Sequence, residues 1–474
     1  MDFIGRSQEL KSLEEQFNSR RFEFSVIYGR RRVGKTWLIR KYVENKPAVF
    51  FTGLEAGASP NLESMSKAVH KFTGQAGQSS FRSFETLFDF LAEYARSSPL
   101  VFIIDEFPYL ATAAPEISSL LQRYCDHEWQ STRLHLILCG SSMGFMERQV
   151  LGTKSPLYGR LTAQVRLSPF TFFETRSFLS TMSMEDAAIL HAATGGVAEY
   201  LSFVDPSHSL ADNLTGLFLS GKGRLFEEPS NLLKQELREP RVYNDILDAL
   251  ANGASKYNEI ATKIHIQSGA LSRYLDALND LGITEKEQPM LSPGSKKVVY
   301  RIEDGCFRFW YRFVMPNTDA IVSGLGSQVY DQIVAPALSS FMGQGFERIF
   351  FDYFDRWNQN GELPGLVTAR GRWWGNNALD RREEEIDLLG VGTNFLVFGE
   401  AKWRNERTDM GVIQDLERKG QLFPAVSRHY ILFSRSGFTE GAQRYASERD
   451  DIRLVVLLDA LDTRSRGEGG ASFG

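Results

Sequence analysis

The sequence predicts a multidomain α/β protein, and three observations carry that prediction. From Phe24 to Ser142, apolar runs of strand length alternate with helical stretches, the pattern of a parallel sheet covered by helices. Beyond Pro229 the pattern changes to three short helices followed by a hairpin, and after Gly326 an amphipathic helix introduces a second set of strands. A chain of 474 residues, at about 150 residues per domain, has room for three domains.

Gly29-Arg30-Arg31-Arg32-Val33-Gly34-Lys35-Thr36 is a complete G-x-x-x-x-G-K-[ST] phosphate loop. Phe24 to Tyr28 before it reads as a buried strand, and Trp37 to Tyr42 after it opens a helix. In that setting the backbone N–H groups from Gly29 to Gly34 point at the β-phosphate of ATP. Lys35 reaches the β- and γ-phosphates, and the Thr36 hydroxyl completes the Mg²⁺ shell. Ahead of the loop, Leu10, Leu13 and Phe17 lie on one face of a helix. That helix either folds over the adenine side or simply packs.

A second strand, Ala48 to Thr52, is followed by helical stretches around Phe84 to Tyr94 and then by Leu100 to Glu106. An apolar run ending in an acidic pair is a central parallel strand whose C-terminal end meets the nucleotide. Asp105 then holds Mg²⁺, directly or through water, and Glu106 orients or deprotonates the attacking water. Leu134 to Ser142 repeats the theme, so Ser141 is expected to contact the γ-phosphate or that water, or else to cap the next helix. Arg160, in a loop soon after, is a candidate finger on the γ-phosphate of a neighbouring copy in a homo-oligomer.

Together Phe3-Ile4-Gly5-Arg6, the phosphate loop, Ile104-Asp105-Glu106, Gly140-Ser141-Ser142 and Ser155 to Arg160 resemble the archaeal-type P-loop ATPases of the AAA+/STAND group. The resemblance implies an ATPase core with a helical lid. It extends to Ala193 to Leu201, where this chain has Ala198 in place of the family's usual proline.

Arg241 to Leu250, Tyr257 to Ile264 and Ala270 to Leu281 read as three helices, and Ile283 to Glu287 with Lys297 to Ile302 as a hairpin. That succession is a winged helix with its third helix in the recognition position. Ser268, Ser272, Arg273, Lys296 and Lys297 are the groups placed to meet DNA, while Asp276, Asp280, Glu285 and Glu287 dilute any basic face. The aromatic stretch Asp304 to Val314 reads as a packing helix.

The last domain carries a second chemical signal. Glu385 to Gly390 starts a strand, and Asn394 to Trp403 is a strand ending in Glu-x-Lys. Side chains alternate along a strand, so Glu400 and Lys402 share one face. Asp387, on the neighbouring hairpin strand, can lie beside Glu400. Two carboxylates and a lysine suit one or two Mg²⁺ or Mn²⁺ ions and a phosphodiester substrate. Glu347 on the preceding helix adds a metal contact, and Gln414 on the following helix a substrate contact. This helix, Asp strand and Glu-x-Lys strand resemble the restriction-endonuclease-like PD-(D/E)xK nucleases, with Ile386 where a proline is usual.

The expected organisation is therefore a P-loop ATPase core over 1–168, a helical lid over 169–230, a winged helix over 231–315 and a linker over 316–340. A C-terminal restriction-endonuclease-like α/β domain follows over 341–462, with a disordered tail over 463–474. The expected function is an ATP-hydrolysing protein whose nucleotide cycle controls a metal-dependent nuclease acting on DNA; the alternative is an ATP-switched DNA- or protein-binding regulator with an inactive nuclease-like domain. The balance of 54 basic and 59 acidic residues confines any DNA surface to a local patch. Three scattered cysteines exclude a Cys-based zinc site and fit a reducing compartment. With no signal peptide and no membrane-length apolar run, the expectation is a cytoplasmic protein with no membrane partner.

Overall fold

A computed structural model describes residues 4–292, 297–377, 382–424 and 427–457. The chain divides into two units, Met1–Phe170 with Val197–Glu199, and Thr171–Gly196 with Tyr200–Gly474. Phe3, Pro293, Gly294, Lys296, Leu458 and the expected tail over 463–474 lie outside the described residues, as does the side chain of Ser268.

In the first unit, helix α1 (Ser7–Asn18) precedes strand β1 (Glu23–Tyr28), and α2 (Lys35–Val43) follows it. Strands β2 (Ala48–Thr52), β3 (Leu100–Asp105), β4 (Leu134–Gly140) and β5 (Ala163–Arg166) complete a parallel sheet in the order β2-β3-β4-β1-β5. Strands β1, β3 and β4 are buried along their whole length. That is why they read as continuous apolar runs instead of alternating ones. Phe24, Val26 and Phe102 pack on one face, and Ile27, Val101 and Ile103 join Leu38 and Tyr42 on the other. Tyr28 pairs with Gly140 and Ile104 with Leu138, so the ends of β1, β3 and β4 share one edge of the sheet.

One polar chain crosses this core. The Ser25 hydroxyl lies 2.7 Å from His135 Nε2, and the Tyr42 hydroxyl 2.8 Å from Nδ1. Burial pushes His135 down to about 4, so the ring is neutral at physiological pH and acts as a structural link.

In the second unit, α3 (Pro240–Ala251), α4 (Tyr257–Lys263) and α5 (Ser268–Asp280) are followed by β6 (Thr284–Glu287) and β7 (Val299–Ile302), an antiparallel pair. Ile246, Leu247, Ile260, Leu271, Leu275 and Ile302 form their common core. In the aromatic stretch, Phe307, Phe309, Tyr311 and Phe313 are buried, as expected of a packing helix.

The expected linker over 316–340 is helical instead. Short helices at Thr318–Val322 and Gly326–Val329 bury Ile321 and Val329, and Pro336 lies in the first turn of α6 (Ala335–Asn360). Proline and glycine here start helices and separate them, where the sequence pattern reads them as an open connection.

A second sheet follows, β8 (Val367–Asn377), β9 (Arg382–Gly392), β10 (Phe395–Lys402), β11 (Ser427–Ser434) and β12 (Ile452–Val456). Its first three strands are antiparallel and its last three parallel, the latter connected through α7 (Met410–Gly420) and α8 (Glu440–Ser447). Helix α6 lies against β10, with Phe346 and Phe350 stacked on Phe433. Gly399 makes that approach possible, because a Cβ there would meet the Phe350 ring at 2.5 Å. Glu347 and Glu400 are the next residues on helix and strand.

Candidate functional sites

At the edge of the first sheet the phosphate loop turns through positive φ at Gly29 (157°), Arg32 (71°) and Gly34 (96°). A side chain at Gly29 would also meet the Leu167 carbonyl at 2.3 Å, so this position admits only glycine. Lys35 is buried, and its Nζ donates to the Gly29 and Arg30 carbonyls, 2.8 Å from each. Burial lowers its pKa, and the nearby Asp105 and Glu106 carboxylates oppose that shift. The Thr36 hydroxyl lies 3.4 Å from Asp105 Oδ2. A hydroxyl and a carboxylate so placed fit Mg²⁺ bound together with the phosphates of ATP.

Glu106 follows with φ 48°, a left-handed conformation uncommon for a residue with a side chain. Its own N–H donates to Asp105 Oδ1 at 3.0 Å. The Ser141 hydroxyl lies 3.1 Å from both Glu106 carboxylate oxygens and donates to them. Ser141 is therefore tied to Glu106, a partner that the sequence did not suggest beside the expected phosphate, water or helix-cap contacts.

The three loop arginines differ. Arg30 is buried. Arg31 donates to the Tyr109 hydroxyl at 3.1 Å, and Arg32 pairs with Glu199 at 3.8 Å while its carbonyl accepts the Glu199 N–H at 3.2 Å. Val33 is fully buried beneath the loop. Ala198 sits 3.7 Å from the place a Gly34 Cβ would occupy, so Val197–Glu199 closes on the loop even with alanine in the proline position. Arg6, whose role the sequence did not disclose, donates to the carbonyls of Val33 (3.2 Å) and Ser168 (2.5 Å).

Arg160, the candidate finger, has partners in its own chain. Its Nε and Nη2 each lie 2.7 Å from an Asp126 carboxylate oxygen, and its Nη1 donates to the Pro156 and Tyr158 carbonyls at 3.0 Å. The guanidinium is thus engaged within its own chain, where it tethers its loop to Asp126.

In the second sheet, Gly399 pairs with Leu388, which sets Asp387 opposite Glu400. Asp387 Oδ2 accepts the Ala401 N–H at 2.9 Å. Lys402 Nζ donates to Glu400 Oε1, and Lys419 Nζ lies 3.7 Å from Glu400 Oε2 and 3.1 Å from Asp415 Oδ2. Burial, with Glu400 and Glu347 adding like charge, pushes Asp387 up to about 8. Burial opposes the charge on Lys419, but Glu400 and Asp415 outweigh it and raise its pKa. Lys419 is the group that sequence reasoning missed; as the i+4 partner of Asp415 it looks like an ordinary helix-surface pair. Gln414 is exposed on the same helix.

Glu347 does not join these carboxylates in a shared cradle. Its Oε2 lies 3.5 Å from Arg301 Nη1 and 3.4 Å from Arg372 Nε. Among the described residues no group of three or more His, Cys, Asp or Glu is placed to hold a metal ion. Asp387 and Glu400 fit part of a divalent site, and the expected third ligand is turned to arginine. On the third helix of the three-helix group, Ser272 shares a hydrogen bond with the Tyr257 hydroxyl (3.1 Å), and Arg273 lies 3.6 Å from Glu239.

Residues 3–204 match the ATPase domain predominantly from Archaea, and residues 310–413 match a group described as "Archaea bacterial proteins of unknown function". Over 426 residues, 89% of this chain and 92% of its counterpart, the sequence is 32% identical to the uncharacterized protein MJECL04 of Methanocaldococcus jannaschii. The chain belongs to this archaeal P-loop ATPase family. A stretch of 44 residues, 9% of the ATPase and 75% of its counterpart, is 50% identical to the uncharacterized ATP-binding protein MJ0423 of the same organism. The Walker-type ATPase PABY2304 of Pyrococcus abyssi is similar in fold, with a TM-score of 0.50, 19% identity, and coverage of 66% of this ATPase and 96% of that chain. Among the described residues no helix of the ATPase is long and apolar enough to cross a membrane.

Proposed function

We propose that this ATPase uses its nucleotide cycle to control a phosphodiester-cleaving site in its second unit, with DNA as the substrate. The ATPase half rests on one juxtaposition, Lys35, Thr36, Asp105, Glu106 and Ser141 at a single sheet edge. Lys35 leaves the loop carbonyls to meet the β- and γ-phosphates, and Thr36 and Asp105 flank the cation. Mg²⁺ there supplies neutralisation of the charge on the transferred phosphoryl group. Glu106, fixed by Ser141, orients the attacking water and accepts its proton.

The observation that carries the nuclease reading is Asp387 opposite Glu400, with Lys402 on the same face of the strand. Acidic pairs beside a lysine are the equipment for water activation at a phosphodiester. As placed, this set lacks its third carboxylate, so no metal-borne step follows from it, whether the ion is Mg²⁺ or Mn²⁺. The three helices with their hairpin are read as a winged helix contacting DNA, and 169–230 as a helical lid. Oligomer formation is an open part of this proposal, because Arg160 gives it no support.

The second reading is an ATP-switched DNA- or protein-binding regulator whose nuclease-like domain is inert. It is favoured by one observation, the capture of Glu347 by Arg301 and Arg372.

Cleavage of linear and circular DNA with Mg²⁺ or Mn²⁺, with and without ATP, separates the two. The wild-type protein is expected to cut, Glu400→Ala/Lys402→Ala to lose cutting, and Lys35→Ala to lose about 10²–10³-fold in ATP turnover together with any ATP-dependent cleavage. Absence of cutting under every nucleotide condition leaves the regulator.

A further inference from the structure

We infer that the β6–β7 hairpin is a lock on the C-terminal carboxylate site, holding Glu347 away from Asp387 and Glu400 through Arg301. The inference rests on reading that site as a cation-dependent phosphodiesterase, and it adds the means by which the site is kept incomplete.

The hairpin reaches the second sheet along a defined seam. The Met290 N–H donates to the Arg372 carbonyl at 2.9 Å, and Gln344 on α6 donates to the Ile302 carbonyl at 2.9 Å. Between these backbone ties lies a band of charge. Arg301 on β7 pairs with Glu287 at 2.8 Å and with Glu347 at 3.5 Å; Arg372 on β8 pairs with Glu287 at 3.1 Å, with Glu347 at 3.4 Å and closely with Glu385. Arg348, beside Glu347 on α6, pairs with Glu303 just after the hairpin at 2.6 Å.

This band is poorly suited to be a permanent weld. Glu347 Oε2, Arg301 Nε, Arg372 Nε and Glu285 Oε2 are all buried and make no hydrogen bond. Arg301 lies 3.9 Å from Glu285. Buried ion pairs without full hydrogen bonding return little of their desolvation cost, so the charged band adds little to hold the seam closed. What the seam does change is Glu347, which lies on α6 where that helix packs against β9 and β10, the strands of Asp387 and Glu400, while its carboxylate faces the arginines. When the hairpin leaves, Arg301 and Glu287 go with it, and Glu347 is left with Arg372 alone, a guanidinium it shares with Glu385, so that it is freer to turn toward the other two carboxylates.

The test is Mn²⁺ uptake by the full chain, measured by titration calorimetry as the part that Asp387→Ala/Glu400→Ala removes. Arg301→Ala is expected to bind Mn²⁺ roughly tenfold or more tightly than the wild type, the factor that a sparsely populated open state takes from an apparent affinity. Met290→Asp, which disrupts the seam while leaving every side chain paired with Glu347 unchanged, is expected to act in the same direction. In the opposite direction, a Met290→Cys/Gly371→Cys disulfide pins the hairpin. A Cβ at Gly371 would lie 2.9 Å from Met290 Cγ, within bridging range. Oxidation of that variant is expected to abolish uptake, and reduction to restore it.

Folded Arg301→Ala and Met290→Asp proteins that bind Mn²⁺ like the wild type overturn the lock and leave the phosphodiesterase reading standing. If neither folds, uptake unaffected by oxidation of the cross-linked variant overturns it. No specific uptake in any variant removes both the lock and the reading beneath it.

Discussion

The edge of the first sheet keeps its charged groups apart, whereas the second sheet ties them to one another. Lys35 is held by two backbone carbonyls, Asp105 by a hydroxyl and a backbone N–H, and Glu106 by a serine. Each is oriented by a neutral partner, so a triphosphate and its cation replace weak contacts with stronger ones. In the second sheet Glu400 is paired with Lys402 and Lys419, and Glu347 with two arginines. A ligand entering there must first break internal ion pairs, and breaking a buried pair strands a charge. The difference separates a site whose groups are already oriented for a nucleotide from one whose charged groups are bound to one another.

The largest expected effect probes the neutral partners of the first site. Glu106→Gln should reduce kcat by about 10²–10⁴-fold, the usual range for loss of a general base. Ser141→Ala leaves the carboxylate in place but unpinned and should cost less, roughly tenfold, since small misplacements at a reacting centre reach about 10²-fold. Both should leave KM for ATP nearly unchanged. Steady-state kinetics in which Ser141→Ala instead raises KM would return Ser141 to direct phosphate contact.

A middle-sized effect probes the charge crowding of the second site. Asp387 titrates near 8 in the folded chain against an ordinary value of 3.8. Between those limits the unfolded chain releases a proton that the folded chain retains, so folding stability falls as pH rises from about 4 to about 8. Asp387→Asn has no such proton. Its melting temperature should match the wild type near pH 4 and exceed it by several degrees at pH 8. Superimposable pH profiles from scanning calorimetry would mean that Asp387 is already ionised and balanced by the lysines, erasing this half of the contrast.

What could be read in the sequence followed from range. The phosphate loop, the Asp105-Glu106 strand end and the Asp387–Glu400 hairpin are set by contiguous residues or adjacent strands, where spacing and alternation determine what lies together. The partner of Glu106, the tether of Arg160 and the arginines around Glu347 are side-chain choices made between distant segments, and no periodicity encodes them. The helical 316–340 segment was obscured for a different reason. Pro316, Gly324 and Pro336 carry the composition of a connection, and the buried Ile321, Val329 and Val334 that make it helical are too few to show a pattern.

The smallest expected effect concerns Arg160, the residue on which a shared, inter-subunit reading of the first site depends. The Arg160–Asp126 pair is bidentate but partly open to solvent. Removing it should therefore cost only about 0–1 kcal/mol of stability. The Asp126 carboxylate, held below its usual value chiefly by that hydrogen bond, should return toward it in Arg160→Ala. Because the guanidinium already serves Asp126 and two carbonyls of its own loop, ATP turnover per chain should stay within about twofold of wild type, far short of the 10³–10⁵ that a finger supplies. Turnover that rises with protein concentration in the wild type, and loses that dependence in Arg160→Ala, would show that the tether is exchanged for a neighbour's γ-phosphate. The first site would then share with the second the property of giving up an internal ion pair before it works.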